Sequence, residues 1–224
     1  MKMHSFWLLF LLLFSLSSLP LQAQKSTEID SLLKLLPRIP NDTNKIKKYA
    51  RLGWLYGETN SETNTVRKYA DSIKMLSHEL NYEKGIALSH FYYGFNDRHE
   101  GNYDEALEHL NLFIGYFTQA GDSTHVANGL YQVGVIHYVL GNYDRSLSLY
   151  LRILNIYKAK NQNLGVTTAL HSIGSIYSVT GNYDKAIDCY NRALQIEDSL
   201  ERGKPTQSIA VIYSSLGSAY LYKT

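Results

Sequence analysis

The tetrapeptide Gly-Asn-Tyr-Asp stands at Gly101, again at Gly141 and again at Gly181, 40 residues apart both times. A fixed period of this size is the mark of a repeat architecture. The register extends around each tetrapeptide. Seven residues upstream sit Gly94, Gly134 and Gly174, each after an apolar or aromatic residue: Tyr93, Val133, Ile173. Sixteen upstream lie Gly85, His125 and Gly165, each opening an apolar-periodic run. Downstream come the small residues Ala106, Ser146 and Ala186, and four further on Leu110, Tyr150 and Tyr190.

The periodicity predicts a pair of antiparallel helices per repeat. Over 165–180, Val166, Ala169, Leu170, Ile173, Ile176 and Tyr177 follow the i, i+3, i+4, i+7 spacing of an amphipathic helix. Over 183–199, Tyr183, Ala186, Ile187, Tyr190, Ala193, Leu194 and Ile196 do the same. The tetrapeptide is then the turn. Gly181 is free to take the left-handed conformation that ends a helix. Asn182 is expected to cap the next helix, and Asp184 to sit where the helix dipole favours a negative charge. Gly174 and Ala186 lack bulk, so the two helices approach closely there, with Tyr177 and Tyr190 filling the space beside them. One such hairpin cannot bury its apolar face alone, whereas stacked neighbours can. The expected fold is therefore all-α.

These residues resemble the tetratricopeptide repeat, whose pattern is matched by Ile173-Gly174, Tyr177, Gly181, Tyr183, Ala186, Tyr190 and Ala193. The repeat at 125–162 keeps Val133-Gly134, Gly141, Tyr143 and Tyr150, with His137, Ser146 and Ile153 substituted. The repeat at 85–122 keeps Tyr93-Gly94, Gly101, Tyr103 and Ala106, with Asp97, Leu110 and Phe113 elsewhere. A degenerate first repeat starts near Asn44, with Leu52-Gly53 and Tyr56, and its turn (Gly57 to Thr65) lacks the Gly-x-Tyr signal. The family's terminal Pro is missing, with Thr118, Lys158 and Asp198 in its place. The second helix is therefore expected to run on, in keeping with a 40-residue rather than a 34-residue period. The resemblance implies a right-handed superhelical solenoid of antiparallel helix pairs. It divides the chain into repeats at 44–84, 85–122, 123–162 and 163–203, and the first helix of an incomplete fifth at 204–224. Residues 24–43 read as a short helix and a Pro-containing turn. Similar openings occur in exported bacterial proteins with long-period arrays, many of them the periplasmic sensing part of a membrane sensor kinase or regulator.

In this family the first helices line a concave groove that binds protein segments. Carried over by position, the groove takes Leu88, Phe91, Phe95 and Arg98 from one repeat and Asn128, Tyr131, Val135 and Tyr138 from the next. The third gives Thr168, His171, Ser175 and Ser178, and the last part Ser214 and Ser218. One end is aromatic, with an Arg of the kind that forms binding hot spots; the other is rich in hydroxyls. An extended peptide or an amphipathic helix is the implied occupant. No cluster of Lys and Asn is present to clamp a terminal carboxylate. Phe91 and Tyr131 packing between repeats instead remains open.

The N-terminus predicts export. Lys2 is followed by an apolar run from Phe6 to Phe14, and Leu21-Gln22-Ala23 offers a small residue before Gln24. That is the three-part pattern of a signal peptide over residues 1–23. The run is shorter than the about 20 apolar residues of a membrane span, and the alternatives are an uncleaved anchor or a buried helix. Formal net charge is +2 on 224 residues, which does not suggest a basic nucleic-acid binder. Cys189 is the single cysteine, so no disulfide forms within the chain. Lys185 and Arg192 flank it, but a buried or half-buried thiol is the favoured reading over a nucleophile. The basic run Lys45, Lys47, Lys48 and Arg51 reads as a solvated helix face.

His78-Glu79 and His99-Glu100 fail the zinc-protease spacing, because Tyr82 and Tyr103 stand where the second His belongs. No phosphate loop, dinucleotide fingerprint or nucleophile elbow is present. No catalytic residue, metal or cofactor is expected. Residues 208–223 resemble a first helix through Ile209, Ile212, Leu216-Gly217, Ala219 and Tyr220, and the chain stops at Thr224 where the next turn would fall. The expectation is a fragment, a shortened reading frame, or an end that a partner or a second copy covers. The function expected is a non-enzymatic, exported interaction module, the sensing part of a bacterial signalling protein. The alternative is an assembly scaffold of the cell envelope.

Overall fold

The computed structural model describes residues 25–58, 63–201 and 207–223. The expected signal peptide over residues 1–23 lies outside them, as do part of the Gly57–Thr65 turn and the boundary expected at 203–204. Every regular element among the described residues is helical. Helix α1 covers 25–35 and runs into a single 3-10 turn, Leu36–Arg38. There follow α2 (Thr43–Glu58), α3 (Thr63–Glu79), α4 (Glu83–Glu100), α5 (Tyr103–Gln119), α6 (Ser123–Val139), α7 (Tyr143–Ala159), α8 (Asn163–Val179), α9 (Tyr183–Glu201) and α10 (Gln207–Lys223). Helices α5, α7 and α9 all continue past Thr118, Lys158 and Asp198, where no Pro stops them. No described helix is long and apolar enough to cross a membrane.

The turns follow from backbone chemistry. After α4, the Gly101 N–H donates to the Arg98 carbonyl (3.3 Å) and the Asn102 N–H to the Asp97 carbonyl (2.8 Å). The same pair recurs at Gly141 and Asn142 (3.0 and 2.8 Å) and at Gly181 and Asn182 (3.1 and 2.7 Å). Two carbonyls orphaned at each helix end are thereby satisfied, with glycine at φ +83°, +74° and +77°. Nothing lies within 4 Å of where a Cβ would stand at these glycines. It is the left-handed backbone, not crowding, that asks for glycine there.

The asparagine does not cap as expected. Asn102 and Asn142 make no side-chain cap hydrogen bond. The Asn182 amide nitrogen turns back to the Thr180 carbonyl and hydroxyl (3.3 and 3.2 Å), which compete for it. A second family of turns, at Asn81, Gly121 and Asn161, also has positive φ (50°, 69° and 53°) and the same hydrogen-bond pattern. There Asp122 does cap, its Oδ1 accepting from the His125 N–H at 3.2 Å.

The chain divides into two compact units, residues up to Asn96 and residues from Asp97 onward. In the first, Leu32 and Leu36 bury against Leu52, Leu55 and Tyr69. The Tyr49 and Tyr56 rings lie 6.1 and 5.8 Å from that of Tyr69. Arg51, read as part of a solvated basic face, is exposed and there makes a two-pronged ion pair with Glu28 of α1 (2.7 and 2.8 Å). In the second unit, helices pair in chain order from α5 to α10. The expected close approach is present. A Cβ on Gly174 would stand 2.6 Å from the Tyr190 ring, and one on Gly134 2.8 Å from the Tyr150 ring. Ser146, in the small-residue register, donates to the Gly134 carbonyl at 2.8 Å. His125 is tolerated where Gly165 stands under Tyr157, because its imidazole lies flat on Phe117 (4.2 Å, 8°).

Candidate functional site: a hydroxyl-lined cleft

Helical register decides which of the expected groove residues meet. In the first unit, Leu88 and Phe95 are half-buried. Phe91 is 6% exposed, packed edge-on against Tyr92 at 5.4 Å and 6.5 Å from Phe95. It is a packing residue, the alternative that the sequence leaves open. Phe95 in turn fills the space that a side chain at Gly57 would take.

In the second unit, Arg98 is half-buried near the phenols of Tyr103, Tyr131 and Tyr150, and burial lowers its pKa. Its Nη2 lies 2.7 Å from His99 Nε2. Tyr131 is half-buried with its ring 5.6 Å from that of Tyr150. Asn128 is exposed and accepts from the Tyr157 hydroxyl at 2.7 Å. Thr168 is exposed and donates back to the Leu164 carbonyl, and Val135 is half-buried.

The hydroxyl-rich end does come together. Tyr138 of α6, Ser175 and Ser178 of α8, and Ser214 and Ser218 of α10 line one cleft of about 450 Å³. Val179, Tyr183, Tyr190, Ser215 and Tyr222 complete it. Tyr183 and Tyr190 carried only a packing role in the sequence, and Ser215 and Tyr222 none. A visible signal was the run of hydroxyl residues three and four apart on both α8 and α10. The Tyr183 and Tyr222 rings stack at 6.2 Å and 24°. Tyr190 is buried, and its hydroxyl donates to Ser175 Oγ at 3.4 Å. His171 stands behind the cleft, with Nε2 3.0 Å from Ser215 Oγ. The lining residues carry no carboxylate, ammonium or guanidinium.

Burial lowers the His171 pKa, as it does for His99 and His137. The unfolded chain therefore binds these protons more readily just below the ordinary histidine value of about 6.5. Stability is full above that value and is lost as pH falls through the window. His171→Gln should flatten the slope of urea stability between about pH 7 and about pH 5. An unchanged slope would show that His171 does not carry it.

Cys189 borders a second cleft of about 380 Å³ with Asp188 and Arg192, which pair at 3.1 Å. Burial pushes its thiol pKa up, which keeps it protonated and a poor nucleophile. Among the described residues no three His, Cys, Asp or Glu side chains gather as a metal site.

The family model of the tetratricopeptide repeat matches residues 125–199. The described residues share the all-α solenoid fold of solved repeat proteins. Three solved structures are similar. BtubC (BKLC) from P. vanneervenii is 17% identical with a TM-score of 0.67, covering 90% of this chain and 82% of its own. Rap protein complexed with Competence and Sporulation Factor is 20% identical with a TM-score of 0.71, covering 89% of this chain. NprR in complex with its cognate peptide NprX is 18% identical with a TM-score of 0.60, covering 88% of this chain. This chain spans 61% and 58% of the latter two. The search of curated proteins found no match.

Proposed function

We propose that the chain is a non-enzymatic module that binds a peptide or protein segment along the first helices of the Asp97–Thr224 unit. The observation that carries this reading is the cleft walled by α6, α8, α9 and α10, which gathers five of the positions expected to face a ligand. Its size falls in the range of binding pockets of about 300–1,000 Å³. Rap and NprR were solved with bound partners, and the shared fold supports the same use here.

We place the module outside the cytoplasm, as the sensing part of a bacterial signalling protein. That placement rests on the apolar run Phe6–Phe14 and the small residue before Gln24. The second reading is an assembly scaffold that self-associates through α10. It is favoured by the exposed Val211, Tyr213 and Leu221 and is tested by sedimentation of the full chain.

A random peptide library panned on the full chain should yield binders. Ser214→Trp, which fills the cleft from an exposed position, should cut their capture by about tenfold while leaving helical circular dichroism intact. Failure to enrich any peptide, or undiminished capture by the variant, would reject the reading.

A further inference from the structure

The chemistry of the cleft selects among segments. Serine in a helix can donate to the carbonyl four residues back. Ser175 donates to the His171 carbonyl (3.0 Å), Ser215 to Val211 (3.1 Å) and Ser218 to Ser214 (3.0 Å). With their hydrogens so committed, these oxygens can only accept: Ser218 Oγ keeps both lone pairs, while Ser175 Oγ, which accepts from Tyr190, and Ser215 Oγ, beside His171 Nε2, each keep one. The rings of Tyr138, Tyr183, Tyr190 and Tyr222 stand among its walls, and the face of an aromatic ring is negative. Acceptor oxygens and ring faces, with no cation among the lining residues, repel a carboxylate and attract a positive donor.

The ionised neighbours do not alter this. Lys223 Nζ is bound to Asp184 Oδ1 at 2.6 Å, beside Tyr222 and Tyr183. Burial of His171, behind the serines, disfavours its charged form. The chain also seats one of its own cations on a tyrosine outside this cleft: Lys185 Nζ lies 5.3 Å from the Tyr177 ring centroid.

We infer that the cleft between α8 and α10 takes an ammonium group, the lysine side chain or free α-amine of a bound segment. The ammonium sits over the tyrosine faces and donates to the serine oxygens. This deepens the peptide-binding reading and rests on it.

The test is an NMR titration of the ¹⁵N-labelled full chain with three blocked tripeptides, N-acetyl-Gly-Lys-Gly-amide, its side-chain-acetylated form and N-acetyl-Gly-Glu-Gly-amide. The lysine peptide should shift the amides of Ser175, Ser178, Ser214 and Ser218. The acetylated form should bind at least about tenfold more weakly, because both the charge and two donors are gone. The glutamate form should not bind. Tyr222 is 66% exposed, so Tyr222→Leu leaves the fold intact; it should weaken the lysine peptide by about threefold to tenfold, whereas Tyr222→Phe keeps the ring and the affinity.

Equal binding of the acetylated or glutamate peptide overturns the ammonium assignment while leaving a peptide-binding cleft. So does a Tyr222→Phe variant as weak as Tyr222→Leu, or the absence of shifts with all three. A library that yields no binder overturns the broader reading instead.

Discussion

Gly174→Ala should destabilise the protein by about 2 kcal/mol, although alanine is the better helix former by about 1 kcal/mol. The added methyl would stand 2.6, 2.9 and 3.1 Å from three carbons of the Tyr190 ring. That ring is 2% exposed and its hydroxyl is tied to Ser175, so it has little room to retreat. Overpacking of this kind costs about 1–3 kcal/mol or more. At roughly 2–4 °C per kcal/mol for a chain of this size, thermal denaturation followed by circular dichroism should show a drop of about 4–8 °C. Gly217 occupies a similar Leu-Gly step in α10, yet nothing lies within 4 Å of its would-be Cβ. Gly217→Ala should therefore stabilise, by up to about 1 kcal/mol. The opposite signs are the test. If both substitutions stabilise, the close packing of α8 on α9 is not as described.

Asn96→Leu should stabilise by about 2 kcal/mol. Asn96 is fully buried, and neither its amide nitrogen nor its amide oxygen has a hydrogen-bond partner among the described residues. Leaving a polar group buried and unsatisfied costs about 1–3 kcal/mol. Forty and eighty residues on, the same register holds the buried Ile136 and Ile176. Leucine keeps the branching of asparagine while supplying an apolar surface. The gain should appear as a higher urea midpoint with an unchanged m-value. A lower midpoint would mean that the amide is satisfied after all or that the site has no room.

The hairpins were legible because the backbone requirement at Gly101, Gly141 and Gly181 is met by one identical tetrapeptide. The second set of turns has no such signature, because Asn81, Gly121 and Asn161 meet the same demand for positive φ with two residue types. Register also puts Ser175, Ser178, Ser214 and Ser218 on one cleft. It leaves Phe91 open between groove and packing, because its burial is set by partners such as Tyr92 and Phe95 and by the packing around them. It missed the Tyr183–Tyr222 wall because that contact joins two helices through packing that no local pattern encodes.

Within the second unit each helix rests chiefly on the one before it and the one after. Such an assembly responds to load as a spring does, by small rotations summed over its joints. Small rotations between α8, α9 and α10 would set the width of the cleft while every turn kept its own hydrogen bonds.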